Sequence, residues 1–199
     1  MRTSESEHYS SHRTGIVIVV QTIPFDATSA SQREQAAAIL VSALAHVPSA
    51  WHDMRSAREE VASFTADPER MAVAAVDGAN VLGWIGSIQH SRTAWELHPL
   101  VIHPEHQGRG YGTGLVKALE DEARRAGVCT IWLGTDDDFG GTSLFGTDLY
   151  PDVLEHLRRI APTDRHPYTF YRRLGYTVVG VLPDVGGFGK HDILMAKRI

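Results

Sequence analysis

Gln107–Gly112 reads QGRGYG, six residues with three glycines between an apolar run and a segment of helical periodicity. Glycine inside a helix costs about 1 kcal/mol relative to alanine, so a glycine run is an unfavourable way to begin one. A helix N-terminus nevertheless attracts anions, because its first backbone N–H groups are unpaired and its dipole is positive there. Gly108, Gly110 and Gly112 have no Cβ, so an anion can approach these amides closely. The stretch therefore predicts a pyrophosphate cradle at the start of a helix over 109–126.

Two better-known phosphate motifs do not describe this stretch. No Gly-Lys-Ser/Thr follows it, which excludes a Walker loop, and its G-x-G-x-G spacing differs from the G-x-G-x-x-G of dinucleotide-binding domains. On these residues alone, a loop that uses glycine for chain reversal is the alternative.

The composition limits the class of protein. The chain has 199 residues, of which 43% are hydrophobic and 22% charged, enough for one domain with a sizeable core. We expect a single domain over 15–199 after a flexible leader over 1–14. The formal net charge of −5 disfavours nucleic acid as a partner and is compatible with a cationic small molecule. No signal peptide or membrane-spanning run is recognisable, so we expect a cytoplasmic protein that does not associate with membranes.

The single cysteine, Cys129, excludes an internal disulfide. Its position within an apolar run predicts a buried residue inside a strand. Such a residue is a poor candidate for a catalytic nucleophile.

The hydrophobic pattern predicts a mixed α/β domain around one sheet, in the order β-αα-βββ-α-β-α-α-β-β. A DGAN turn over 77–80 joins two of the strands, and Ser56 with Glu59 is interpreted as the capping box of the second helix. The predicted strands cover 15–23, 70–76, 80–89, 95–104, 128–135, 176–182 and 191–199, and the predicted helices cover 30–45, 56–64, 109–126, 148–160 and 167–174.

Gln107-x-x-Gly110-x-Gly112, after a strand and before an amphipathic helix, resembles the acetyl-coenzyme A signature of the GNAT superfamily of N-acetyltransferases. Over about 70–197, the segments AVAAVDG, WELHPLVI, LGTDDD, TDLY, HPYTFYRRLGY, VGVLPD and DILMAK resemble, in this order, the bacterial aminoglycoside 6′-N-acetyltransferases. The first 70 residues match more loosely. The resemblance implies the GNAT fold, an α/β (α+β) architecture whose mixed central sheet splays between the fourth and fifth strands and is flanked by helices. It also implies acetyl-CoA as donor, the 6′-amine of kanamycin-type antibiotics as acceptor, antibiotic resistance as the outcome, and a homodimer.

The resemblance implies that the pantetheine arm of the coenzyme pairs with the backbone of the strand WELHPLVI, with the Leu100 N–H facing the thioester oxygen. Pro99 is consistent with a bulge in that strand and equally with an ordinary strand edge, because proline lacks a ladder donor. The implied coenzyme-binding residues are His98, Leu100, Val101, Ile102, Gln107, Gly108, Arg109, Gly110, Tyr111, Gly112 and Thr113.

Glu96 is the candidate general base. In an extended strand Glu96 and His98 share one face, and Trp95 and Leu97 share the other. An acceptor amine arrives as an ammonium and must lose a proton before it attacks, so a carboxylate can both attract it and, through water, deprotonate it. His98 is the alternative base or a relay. A surface glutamate without a catalytic role is the alternative interpretation of Glu96.

Tyr171 is the candidate acid. The resemblance places its phenol near the sulfur of the coenzyme, where it would donate a proton to the departing thiolate. The alternative is that Tyr171 and the neighbouring Tyr168 are packing residues.

Acidic residues in loops are candidates for binding a polycationic acceptor. Asp136 and Asp137 follow a predicted strand, and Asp148 and Asp184 are further candidates. A solvated acidic turn is the alternative. The resemblance also suggests that Trp51 stacks on a sugar ring, although a core position fits it equally well.

Three rival functions remain on sequence grounds. The first is the same fold acting on a polyamine, another small amine or a protein amine, because a fold alone does not set the acceptor. The second is a non-catalytic protein that binds acetyl-CoA or an antibiotic. The third is a metal site built from His98, His103 and His106, which no recognised ligand spacing supports, so no metal is expected.

Overall fold

The computed structural model describes residues 21–199, which form two compact units, one ending at Gly127 and the other beginning at Val128. The predicted leader over 1–14 and the first part of the predicted 15–23 strand lie outside the described residues.

Over residues 21–127, the first unit contains four strands and three α-helices, together with two short 3-10 helices. The strands pair antiparallel in the order β1-β2-β3-β4, and Gly78, with a φ of 57°, turns the chain between β2 and β3, which confirms the predicted hairpin. The elements are β1 (Gln21–Pro24), α1 (Ala30–Ala43), α2 (Met54–Ala66), β2 (Arg70–Asp77), β3 (Asn80–Ser91), β4 (Ala94–Ile102) and α3 (Tyr111–Arg125).

Side-chain caps fix where the first two helices begin. Ser29 and Gln32 form a reciprocal capping box at the start of α1. The predicted capping box at Ser56 is wrong. Asp53 caps α2 instead, because its carboxylate accepts hydrogen bonds from the backbone N–H groups of Arg55 and Ser56, so the helix starts two residues earlier.

Trp84 is the centre of the core between the sheet and the helices α1 and α2. Its side chain is fully buried, stacks on Phe25 at 5.1 Å and meets Phe64 edge-on at 5.4 Å. The indole N–H donates to the Ala36 carbonyl at 3.1 Å, so the one polar atom of this ring is satisfied. These contacts hold α2 against the sheet.

A β-bulge distorts β4 beside the candidate site. Ile85 of β3 faces Leu100, but Ser87, two residues further along β3, faces Leu97, three residues back along β4. The extra residue falls in the segment that contains Pro99, which selects the bulge from the two predicted alternatives. Gly86 lies opposite, and a Cβ placed there would be 2.5 Å from the carbonyl oxygen of His98. Only glycine permits this approach of the two strands.

The second unit contains three strands and two short helices. The strands pair antiparallel in the order β5-β7-β6. The elements are β5 (Thr130–Asp136), α4 (Val153–Arg158), α5 (Pro167–Arg173), β6 (Thr177–Leu182) and β7 (Asp192–Arg198). Both units match the predicted order of elements, so the mixed α/β class is confirmed. The expected splay between the fourth and fifth strands stays a prediction.

Two local predictions in the second unit are wrong. The helix predicted over 148–160 is shorter, because Pro151 disfavours helical backbone at Tyr150 and α4 begins only at Val153. Cys129 is exposed rather than buried in a strand. Pairing of β5 starts at Thr130, so Cys129 belongs to the connection that follows α3.

Candidate active site

One face of β4 carries the polar residues of the candidate site. Glu96, His98 and Leu100 are half-buried, whereas Trp95 and Leu97, on the other face, are buried. The predicted sharing of faces is therefore confirmed. The half-buried face combines a carboxylate and an imidazole two residues apart, beside the bulge.

Glu96 is held by a histidine of the neighbouring strand. Its Oε2 lies 2.6 Å from Nε2 of His90 on β3, and its side chain is 22% exposed. Sequence reasoning did not identify His90. The pairing fixes the direction of the carboxylate while part of it stays accessible to a solute.

His98 lies among an aromatic ring and charged groups. Its ring is 5.6 Å from that of Trp51, and its Nε2 is 3.7 Å from Oε1 of Glu60 on α2. Burial lowers the pKa of His98, an effect that Glu60 and Glu96 oppose and that Arg70 reinforces. The imidazole is therefore neutral at pH 7 and able to accept a proton. Trp51 also packs against the hydrophobic core, so it contacts both the core and the site.

Glu60 and Arg70 are site residues that sequence reasoning missed. Arg70 on β2 donates to Oε1 of Glu60 at 2.9 Å and to the Ser63 hydroxyl at 3.0 Å, which ties α2 to the sheet. Helical spacing indicates that Glu60 lies on the buried face of α2, because it is three residues after Ala57 and four before Phe64, and both are buried. A carboxylate on the buried side of a helix requires a partner, and Arg70 supplies it.

The glycine stretch forms the start of α3, within two residues of the prediction. Gly108 and Gly110 have φ values of 74° and 91°, a left-handed conformation that side chains disfavour. Gly110 is the N-cap of α3, and no side chain of residues 21–199 caps this end, in contrast to α1 and α2. A Cβ at Gly108 would meet nothing within 4 Å. The backbone here is open to an anion.

The residues on either side of this loop differ in exposure and in hydrogen bonding. The Gln107 side chain donates to the Ile102 carbonyl at 3.2 Å and ties the loop to the end of β4. Nδ1 of His106 is buried without a hydrogen-bond partner among the described residues. Arg109 is exposed, and Tyr111 is buried with an edge contact to the His106 ring at 6.1 Å. The loop joins β4, which contains Val101, to α3, which contains Gly112 and Thr113.

Asp137, in the second unit, organises its own loop. The carboxylate is completely buried and accepts hydrogen bonds from the backbone N–H groups of Gly141 and Thr142, at 2.7 and 2.9 Å, and from the Thr142 hydroxyl at 2.7 Å. It is therefore turned away from solvent, and the expected lining role in an acceptor pocket does not fit this conformation. Such buried, multiply bonded carboxylates stabilise loops.

The other predicted acidic residues of the second unit differ in exposure. Asp136 and Asp148 are exposed, and Asp148 also accepts from the Tyr150 N–H at 3.1 Å. Asp184 is half-buried, and its carboxylate accepts from the Gly189 N–H at 2.8 Å. Asp136 and Asp148 are thus the two predicted carboxylates accessible to a solute, whereas Asp184 shapes the loop before β7.

Tyr171 on α5 is buried between two aromatic rings. Its ring meets Phe170 at 5.0 Å and Tyr176 at 5.6 Å, and burial raises its pKa well above the usual value of a phenol. The phenol therefore stays protonated at all physiological pH values. Tyr168 differs, because its hydroxyl accepts from Arg172 at 2.9 Å. The choice of Tyr171 over Tyr168 as the acid stays a prediction.

Residues 21–199 bring together no group of three or more His, Cys, Asp or Glu side chains that could hold a metal ion. His98, His103 and His106 are therefore not such a group. In the same part of the chain, no helix combines the length and apolar character required to cross a bilayer.

Residues 37–143, more than half of the chain, match the model of the acetyltransferase (GNAT) family. The chain belongs to the GNAT family. It is an acetyl-CoA-dependent N-acetyltransferase. The matched region contains β4 with its polar face and the glycine-capped start of α3.

This GNAT enzyme is similar to solved structures along most of its length. A crystal structure of an aminoglycoside 6′-N-acetyltransferase in complex with coenzyme A is 42% identical, with a TM-score of 0.80, over 89% of this chain and 96% of that one. The aminoglycoside 6′-N-acetyltransferase from Enterococcus faecium gives the same values. The N-alpha-acetyltransferase RimI of Mycobacterium tuberculosis is 36% identical over 76 residues, which are 37% of this chain. The chain spans about half, 48%, of that curated relative.

Proposed function

We propose that the enzyme is an aminoglycoside 6′-N-acetyltransferase, which confers antibiotic resistance by acetylating the 6′-amine of the drug. The observation that carries the proposal is the polar face of β4, where Glu96 is held by His90 next to His98 and Trp51. The 42% identity to aminoglycoside 6′-N-acetyltransferases over nearly the whole chain supports the choice of acceptor.

Glu96 attracts the acceptor ammonium and acts as its general base through water. Its partly exposed carboxylate is oriented by His90, so it is accessible and fixed in direction. A positioned base of this kind contributes roughly 10²–10⁴-fold to rate. His98, neutral at pH 7, is the second group on this face able to receive the proton.

Acetyl-CoA supplies an activated thioester, so the chain provides position, charge stabilisation and proton transfer. The amine attacks directly within a ternary complex, the C–N bond forms and the C–S bond breaks. The Leu100 N–H stabilises the negative charge that develops on the acyl oxygen, which is worth about 3–4 kcal/mol for one well-aimed donor.

Tyr171 protonates the departing thiolate, and the second proton that the attacking nitrogen loses as the amide forms replaces the one that Tyr171 gives up. Because burial raises the pKa of this phenol, it is a weak acid, and it stabilises the thiolate by donating a hydrogen bond before the proton moves. Its protonated state does not change over the working pH range.

The coenzyme is held by the backbone of β4 and by the start of α3. His98, Leu100, Val101 and Ile102 line the pantetheine arm, and the N–H groups from Gln107 to Thr113 bind the diphosphate. The open backbone at Gly108 and the uncapped N-terminus at Gly110 support this assignment.

Trp51 stacks on a sugar ring of the acceptor, and Asp136 and Asp148 attract its ammonium groups. Trp51 is half-buried against the core, so a rigid part of its ring remains for the sugar. The exposure of the two aspartates supports electrostatic recognition of a polycation.

A homodimer located in the cytoplasm completes the proposal. All the large apolar side chains described as exposed belong to the second unit. Among them, Val179 and Leu182 lie on β6, which is at the end of the strand order of that unit. An edge strand with apolar side chains is suited to pairing with a second copy. Light scattering after size-exclusion chromatography measures the predicted mass of two chains.

A protein amine is the second candidate acceptor. The 36% identity to RimI favours it, although that match covers only 37% of this chain. A peptide with a free α-amine therefore belongs in the assay.

The test is a kinetic panel of matched aminoglycosides with and without a 6′-amine, together with an α-amino peptide. Free thiol release gives kcat/KM, and mass spectrometry locates the acetyl group. The proposal predicts acetylation at the 6′-nitrogen and a large loss of kcat/KM when that amine is absent. Equal rates on both aminoglycosides, or preference for the peptide, would contradict it.

A further inference from the structure

A carboxylate from a helix approaches the histidine of the acceptor site. The side chain of Glu60 on α2 is only 16% exposed, and its Oε1 lies 2.9 Å from Nη1 of Arg70 and 3.7 Å from Nε2 of His98. Arg70 is itself fixed, because it donates to Ser63 and its guanidinium lies 5.3 Å from the centre of the Phe64 ring. The Arg70 bridge therefore holds the Glu60 carboxylate at a set distance from the imidazole.

We propose that Glu60 is a positioning residue that stabilises the protonated form of His98, so that His98 relays the proton released by the acceptor amine. The relay rests on the proposed acetyl transfer to an amine, whereas the effect of Glu60 on His98 does not. Glu60 itself does not need to touch the acceptor.

The charges around His98 explain why such a residue is required. Glu60 faces it from α2, Arg70 from β2, and Glu96 from its own strand, with His90 of β3 bound to Glu96. Burial and Arg70 disfavour the imidazolium, and the two carboxylates favour it. Without Glu60, burial and Arg70 are opposed only by Glu96, so the neutral form of the His98 ring is favoured. A proton taken from an ammonium would then be bound weakly.

The proton balance of the relay is simple. The acceptor ammonium loses one proton to Glu96 through water, Nε2 of His98 receives that proton in turn, and the neutral amine then attacks the acyl carbon. After transfer, the imidazolium returns the proton to solvent, which the 36% exposure of the His98 side chain permits. No oxidation or reduction takes place.

A purely structural role for the Glu60–Arg70 pair makes a different prediction. If the pair only joined α2 to β2, removing either partner would perturb His98 in the same way. If charge is the cause, removing Glu60 lowers the His98 pKa and removing Arg70 raises it. Opposite signs therefore separate the two explanations.

The experiment is an NMR titration of the His98 imidazole in the full chain, assigned with His98→Gln. An opposite charge within 4–6 Å shifts a pKa by about one unit or more, a tenfold change in the protonated fraction. We expect Glu60→Gln to lower the pKa by about one unit and Arg70→Gln to raise it. Glu59→Gln is the control, because Glu59 is the exposed neighbour on the same helix and pairs with Arg55. An unchanged pKa in both variants, or shifts of the same sign, would overturn the proposal.

The pH profile of kcat/KM provides the second measurement. The acidic limb of this profile should move to lower pH in Glu60→Gln and to higher pH in Arg70→Gln. At pH 7, kcat should be reduced about tenfold in Glu60→Gln and unchanged in Glu59→Gln. If Glu60→Gln does not fold, Arg70→Gln decides alone, and an unchanged His98 pKa refutes the proposal. The titration needs no acceptor, so it tests Glu60 even if no aminoglycoside is acetylated. The expected pKa shifts with unmoved pH profiles would refute the relay.

Discussion

Replacing Gly86 with alanine is expected to destabilise the first unit and disturb the acceptor site. An ideal Cβ at Gly86 would lie 2.5 Å from the His98 carbonyl oxygen and 2.5 Å from Cε1 of Phe64. The Phe64 ring packs edge-on against Trp84 and beneath Arg70, so it has little freedom to move. Overpacking of this kind costs about 1–3 kcal/mol, and contact with backbone oxygen places Gly86→Ala near 2 kcal/mol or above.

Urea unfolding followed by tryptophan fluorescence measures this cost. In thermal unfolding of a chain of this length, a destabilisation of about 2 kcal/mol corresponds to a loss of about 4–8 °C in Tm. Gly114→Ala is the matched control. Gly114 lies within α3, and a Cβ placed there would meet nothing within 4 Å, so alanine should stabilise by up to about 1 kcal/mol. A Gly86→Ala variant as stable as the wild type, or shifts of both variants in the same direction, would refute this prediction.

Three further predictions concern the second unit. Tyr171→Phe should lower kcat about 10- to 100-fold with an unchanged Kd for acetyl-CoA. The kcat of Tyr168→Phe should stay within about threefold of the wild-type value. Equal effects of the two substitutions would contradict the assignment of the acid. Burial keeps the pKa of His166 below its usual value, so the unfolded chain binds a proton at this residue more readily than the folded chain. The free energy of unfolding therefore falls as the pH drops below about 6.5, by at most about 1.4 kcal/mol per pH unit. Denaturation of the wild type and His166→Gln between about pH 7.5 and 5.5 checks this, and identical pH slopes would refute it. Cys129→Ala should leave steady-state turnover intact, and its abolition would indicate a covalent acetyl-enzyme.

The alternation along β4 and the glycine start of α3 could be predicted because both are local. Period-two alternation places Glu96 with His98, and a glycine-rich turn before an amphipathic segment specifies an open helix N-terminus. The bulge at Pro99 was one of two equal alternatives, since choosing it requires the register against β3.

The partners of the site residues could not be predicted. His90 reaches Glu96 through strand pairing, and Arg70 reaches Glu60 through the packing of α2 on β2, contacts that no sequence spacing encodes. Asp137 shows the converse. An acidic turn suggests a surface site, but three hydrogen bonds from its own loop turn the carboxylate inward.

The central claim is that the polar face of β4 performs the chemistry, and Glu96→Gln tests it most directly. Turnover with a 6′-amino aminoglycoside and calorimetric binding of acetyl-CoA are measured on the same preparation, with Glu59→Gln as the control. If Glu96 is the base, kcat falls by about 10²-fold or more and the Kd for acetyl-CoA is unchanged. Turnover of Glu96→Gln at the wild-type rate would contradict it.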